Sequence, residues 1–150
     1  MVSRSYPRFD WKRYIDYANE LVDFAEKDDA KARCGISRAY YGAFHLVTIA
    51  LGEDNIRCDP NRGGSHQIVI DQCKEYKQGD NNRVISNWHN IGNLLSRMKD
   101  MRILADYKAD YFASQKTGYT NMEYELRKAL GYAEQILNSL DQIHSFTEIP

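Results

Sequence analysis

The segment Ser37-Arg-Ala-Tyr-Tyr-Gly-Ala-Phe-His45 brings together two side-chain types suited to phosphate chemistry. Arg38 is a permanent cation whose planar donor fork fits a phosphate, and His45 can take or give a proton near neutral pH. They stand seven positions apart, so a helix sets them on one face, about 10 Å apart along its axis. That spacing suits one extended ligand, or an arginine of one copy meeting a histidine of another. It is too long for both side chains to touch one substrate atom. The structural alternative is an Arg38 paired with a carboxylate and a His45 satisfied on its helix face.

Three further stretches carry candidate chemistry. Arg102-Ile-Leu-Ala-Asp106-Tyr107 spaces a cation and a carboxylate at i, i+4, where they either pair with each other or hold a phosphate and orient a neighbouring His or Tyr. Arg62-Gly-Gly-Ser65-His66 offers free amides at a helix start, an anion seat or simply a capping turn. It lacks the Lys-Ser/Thr ending of a P-loop. Tyr107, Tyr111 and Tyr119 with Arg102, Lys108 and Lys116 form the densest aromatic and basic run. Bases can stack on such tyrosines, but Asp106 and Asp110 interrupt the charge and an ordinary amphipathic segment gives the same pattern. His89 and His144 stand alone, without a His-x-Glu or His-Glu-x-x-His pattern, so they are structural or solvent-facing and neither a metal nor a cofactor is expected.

Helices must position these groups. Asp10 N-caps a first helix to about Lys27, with Ile15, Ala18, Leu21, Val22 and Ala25 at three/four spacing. A second runs from about Ala30 to Leu51 on a stripe including Ile36, Ala39, Tyr40, Ala43, Phe44 and Val47, and Gly52 stops it. Ser65 N-caps a shorter third helix to about Gln78. A fourth begins near Arg83 and follows Val84, Trp88, Ile91, Leu95 and Met98 to an end between Met101 and Phe112. Thr120-Asn-Met-Glu123 is a capping box that opens the last helix through Leu126, Leu130, Ala133, Ile136 and Leu140. With no period-two run and no repeat, the pattern predicts one all-α domain over 1–150, an antiparallel up-and-down helical bundle of four main helices plus a short one.

Composition narrows the setting. The 150 residues suit a single domain able to bury a core without staples. Hydrophobic residues at 43% and charged ones at 27% exclude a disordered chain. Twenty Lys+Arg against 21 Asp+Glu exclude a globally basic nucleic-acid footprint, so any anion site is local. The start has no apolar signal-peptide core, and the 12-residue apolar stretch Tyr40–Leu51 is too short for a membrane span. Cys34, Cys58 and Cys73 lack CxxC spacing, and free thiols in a reducing cytoplasm are the expectation.

The nine-residue segment Ser37–His45 closely resembles the S-R-x-Y-Y-A-x-F-H helix of the HEPN superfamily, named for higher eukaryotes and prokaryotes nucleotide-binding. The Ser65-His66 pair after a loop and the Arg102-x-x-Ala-Asp106-Tyr107 ending are similar to later pieces of the family pattern, in the same order. The resemblance spans roughly residues 30 to 110. It implies an up-and-down bundle, usually a homodimer, from toxin–antitoxin, defence or nucleotidyltransferase-linked systems. Catalytic members are metal-independent ribonucleases that use an Arg and a His separated by four to six residues, with the RNA 2′-hydroxyl as nucleophile.

Carried onto this chain, the resemblance makes Arg38 and His45 the catalytic pair. Tyr41, Ser65, His66, Arg102, Asp106 and Tyr107 become RNA or nucleotide contacts. In the family's best-known catalytic members the Arg/His motif lies later, where this chain has Arg102 and Asp106 but no histidine after the arginine. The functions implied are RNA or nucleotide binding with or without RNA cleavage, a non-catalytic module for a cognate nucleotidyltransferase, or a protein-binding helical adaptor. An antitoxin is the partner implied by the first.

Three structural expectations follow. Gly42 inside a helix costs about 1 kcal/mol against Ala, so close approach of another helix explains it, and two copies would meet along Ala39, Gly42 and Ala43. Ser65 should cap the third helix. Arg38, His45 and Arg102 should be partly exposed and line one polar groove, because an unpaired cation among core positions is costly.

Overall fold

The computed structural model describes residues 8–52, 64–113 and 121–147. Among these the chain is an antiparallel bundle of α1 (Lys12–Ala25), α2 (Asp29–Leu51), α3 (Ser65–Lys74), α4 (Asn82–Tyr107) and α5 (Met122–Thr147), with no strand. Four helices are long and α3 is short, as the periodicity predicts.

Polar side chains start the helices by accepting free first-turn amides. Asp28 Oδ1 accepts from Lys31 N at 3.3 Å, Asn81 Oδ1 from Arg83 N at 3.0 Å and Asn121 Oδ1 from Tyr124 N at 2.6 Å. The last helix is therefore capped by Asn121; Thr120 of the expected capping box lies outside the described residues. The expected Asp10 cap is corrected: Trp11 holds the N-cap of α1 without a side-chain cap bond, and Asp10 Oδ1, one residue earlier, accepts from Lys12 N at 3.0 Å. Gly52 ends α2 at φ 86°, a left-handed conformation open to glycine without strain.

The expected Ser65 cap is corrected. Gly64 occupies the N-cap in an extended conformation with no side chain to offer, and Ser65 is the first helical residue, exposed. The Gly64 carbonyl instead receives the amides of Gln67 and Ile68. α3 also ends at Lys74, four residues before the expected Gln78, and the chain turns through Gly79 at φ 80°.

α2 lies at the centre, packed on α1, α4 and α5. Its Ile36, Ala39, Tyr40, Ala43 and Val47 are fully buried, against Leu95 and Met98 of α4 and Leu126 and Ile136 of α5 in one continuous core. Gly42 meets α1: a Cβ there would lie 2.9 Å from Ile15 Cγ1 and 3.0 Å from the Trp11 carbonyl oxygen. The close approach signalled by this glycine is thus made within the chain. Contact between two copies through Ala39, Gly42 and Ala43 is ruled out, because α1 already covers that face.

The C-terminus of α4 is closed from a distance. Arg33 Nη1 donates to the carbonyls of Leu104 (3.4 Å), Ala105 (3.1 Å) and Lys108 (2.6 Å), and Nη2 donates to Ala109 (3.1 Å). Its Nε donates to Asp29 Oδ2 at 2.7 Å. A cation here satisfies the orphan carbonyls of a helix end and complements its partial negative charge.

Candidate anion-binding site

Where α2, the first turn of α3 and the second half of α4 converge, Arg102 and His66 sit among aromatic rings with Lys99 nearby. Arg102 of α4 is 8% exposed. Its guanidinium carbon lies 5.6 Å from the Tyr40 ring, 5.5 Å from Tyr41 and 5.8 Å from Tyr107. Such rings favour a cation electrostatically but accept no strong hydrogen bond. Arg102 Nη1 faces Asp106 Oδ2 at 3.6 Å, beyond good hydrogen-bond length, and Ser37 Oγ donates to that same oxygen at 3.3 Å. Among the described residues, Arg102 Nε is the one buried side-chain polar atom without a hydrogen-bond partner. A charged donor left in that condition is costly, so it marks a place where an acceptor belongs.

His66 stands beside this arginine. Its ring stacks on Phe44 with centroids 4.2 Å apart and meets Tyr41 edge-on at 5.6 Å. The Tyr40 hydroxyl lies 2.7 Å from His66 Nδ1. Tyr40 is fully buried and needs an acceptor for its proton, which assigns Nδ1 as acceptor and leaves the ring proton on Nε2. Burial depresses the His66 pKa below its ordinary value, and the positive fields of Arg102, Lys99 and His45 add to the effect. Burial likewise raises the Tyr40 phenol well above its usual range. The pair is therefore a neutral phenol donating to a neutral imidazole, with Nε2–H as a spare donor.

Lys99, one turn before Arg102, donates from Nζ to Gln67 Oε1 at 3.0 Å, and Gln67 Nε2 donates to Asp71 Oδ1 at 2.9 Å. α3 is thereby tied to α4 next to His66. Neither Lys99 nor Tyr40 was among the site residues expected from sequence. The i, i+3 relation of Lys99 to Arg102 was a usable signal, whereas Tyr40 was indistinguishable from core.

The other expected residues distribute as follows. Arg38 lies over the Tyr14 ring at 4.9 Å, and His45 stacks on Trp11 with centroids 3.7 Å apart, both toward α1. Burial lowers the His45 pKa. Tyr41 connects the two regions, touching His45 at 6.4 Å between centroids and Arg102 on its other contacts. Of the three residues expected to be partly exposed along one groove, Arg38 and His45 are so, resting on α1 aromatics, whereas Arg102 is corrected: it is buried under tyrosines. Asp106 and Tyr107 are exposed at the site's edge, Tyr107 at 72%. Tyr111 is buried and donates to Glu125 Oε2 at 3.5 Å, so it offers no open face, and Tyr119, Lys116, Arg62 and Gly63 lie outside the described residues.

The helices hold no stretch long and apolar enough to cross a membrane among the described residues. Comparison of the chain with protein-family models, with curated proteins and with solved structures finds no match.

Proposed function

We propose that this chain is a HEPN-like RNA- or nucleotide-binding module that seats a phosphate at Arg102, Lys99 and His66. The observation that carries this reading is the buried, unpartnered Nε of Arg102 between three tyrosines. A phosphate oxygen is the acceptor it lacks, and Asp106, loosely held at 3.6 Å, is the group that such an anion displaces. The tautomer of His66 supports binding over catalysis at this point. Its Nε2–H can donate to a phosphate oxygen, but a nitrogen already carrying a proton cannot act as general base.

A second reading, a metal-independent ribonuclease, draws support from His45. This imidazole is held neutral by burial and receives no hydrogen bond from a described residue, so it can accept a proton. In that reaction the 2′-hydroxyl gives its proton to His45, its oxygen attacks phosphorus as the bond to the 5′-oxygen breaks, and the leaving 5′-oxygen takes a proton from water or from the His45 imidazolium, with Arg38 balancing phosphate charge. A homodimer, an antitoxin or a cognate nucleotidyltransferase fits either reading.

The test is titration of native and Arg102→Gln protein with adenosine monophosphate and with single-stranded RNA, alongside RNA incubation in excess chelator. Weaker binding by Arg102→Gln is the expected result, and equal affinity of the two proteins removes the phosphate seat. Chelator-resistant cleavage that His45→Ala abolishes selects the ribonuclease.

A further inference from the structure

Resting on the phosphate seat just proposed, we infer that Tyr107 is a stacking platform for the nucleobase next to the bound phosphate. The ligand is then a base-bearing phosphate, not inorganic phosphate or a sugar phosphate.

Tyr107 is the last residue of α4 and, among the described residues, one of the most exposed large hydrophobic side chains. One side of its ring is occupied by the Arg102 guanidinium at 5.8 Å, and the rest is open to solvent. A cation behind an aromatic ring is attracted to its π-electrons, and bases stack on such rings irrespective of sequence. Guanidinium and ring are adjacent, 5.8 Å apart. A phosphate on the cation therefore brings its own base, or the next one, to the tyrosine.

The platform is also fixed in place. Arg33 holds the carbonyls of Leu104, Ala105, Lys108 and Ala109, which flank Tyr107 on both sides. Little backbone freedom remains to be lost when a base stacks there. Neighbouring Asp106, once released from Arg102, is an acceptor at the same edge for a ribose hydroxyl or a base N–H. By contrast, Tyr40 is fully buried, so it cannot serve this role.

The experiment compares native, Tyr107→Ala, Tyr107→Trp and Arg102→Gln proteins by calorimetric titration with ribose phosphate, adenosine monophosphate, a short single-stranded oligoribonucleotide and its duplex. Tyr107→Ala should weaken the nucleotide and the single strand by roughly 5- to 150-fold, the equivalent of one lost base stack. Its effect on ribose phosphate should be much smaller, since Arg102 keeps its contacts with Tyr40 and Tyr41, while Tyr107→Trp retains or strengthens the base-bearing ligands. The duplex, whose base faces are covered, should gain nothing from Tyr107. Arg102→Gln should weaken every phosphate ligand. Tighter binding of the oligoribonucleotide than of the mononucleotide assigns RNA as the source of the base, and equal affinity assigns a free nucleotide. If Tyr107→Ala changes nothing, or weakens ribose phosphate as much as the nucleotide, the platform is overturned while the phosphate seat stands. If native protein binds no phosphate ligand, or binds them all without regard to Arg102, the seat itself falls.

Discussion

The hydroxyl of Tyr40 and Nδ1 of His66, 26 residues apart in sequence, lie 2.7 Å apart where α2 meets α3. Each partner settles the other's state. The buried phenol finds its acceptor, and the imidazole is fixed in one tautomer and kept neutral by burial and by the cations Arg102 and Lys99.

A pH dependence follows from that neutrality. The folded-state pKa of His66 is below the ordinary value near 6.5, and that of His45 is lowered too. The unfolded chain therefore binds more protons in this range, and stability present above about pH 6.5 is lost as pH falls through the folded values. Denaturant midpoints taken from about pH 7.5 to about pH 5.5 should decline, and His66→Gln should flatten the decline. A midpoint that rises on acidification would contradict the assignment.

Arg33→Ala should destabilise the protein by about 1.5–3 kcal/mol, the worth of a hydrogen bond to a charged group, because the carbonyls it serves share one side chain. Arg33→Lys should recover only part of this, since an ammonium lacks the planar fork that reaches several carbonyls at once. Urea unfolding of the two variants measures it, and equal midpoints for native and Arg33→Ala would show the clamp to be idle.

Two glycines in helices should respond in opposite directions to alanine. At Gly42 the new methyl meets the Trp11 carbonyl and Ile15, and overpacking of this kind costs about 1–3 kcal/mol. At Gly131 nothing stands within 4 Å, so the substitution should stabilise by up to about 1 kcal/mol through helix propensity. Thermal unfolding should separate the pair clearly; a stabilised Gly42→Ala would mean that α1 can retreat at no cost.

Ser65→Ala should shift stability by less than about 0.5 kcal/mol, as for an exposed surface position. Its hydroxyl is at the first helical residue and caps no amide. A loss of the size typical for an N-cap, about 1 kcal/mol, would restore Ser65 to that role.

The bundle was legible because its signals are local. Buried positions such as Ile36, Leu95 and Ile136 recur at helical spacing, and Gly52 stops a helix by its own chemistry. Gly42 announced a close neighbour but not whose helix it was; a missing Cβ carries no label for α1 or for a second copy. The candidate site was only half legible. Arg102, His66 and Tyr107 stood out as residue types, yet the Tyr40–His66 bond joins helices separated by a loop, and nothing in either neighbourhood encodes it. Arg33 was missed because its acceptors are backbone carbonyls 71 to 76 residues away, identical for every residue type.

The central position of α2 has a kinetic consequence. It supplies Ser37, Tyr40, Tyr41 and Phe44 to the site while its opposite faces are locked against α1 and α5. α2 itself can neither swing nor slide to open the site without breaking the core. Admission of an anion rests on the turning of Asp106 and Tyr41, exposed or half-exposed side chains whose rotations take picoseconds to nanoseconds. The rate at which ligand enters is then set by diffusion and local charge, and salt concentration is the variable that controls it.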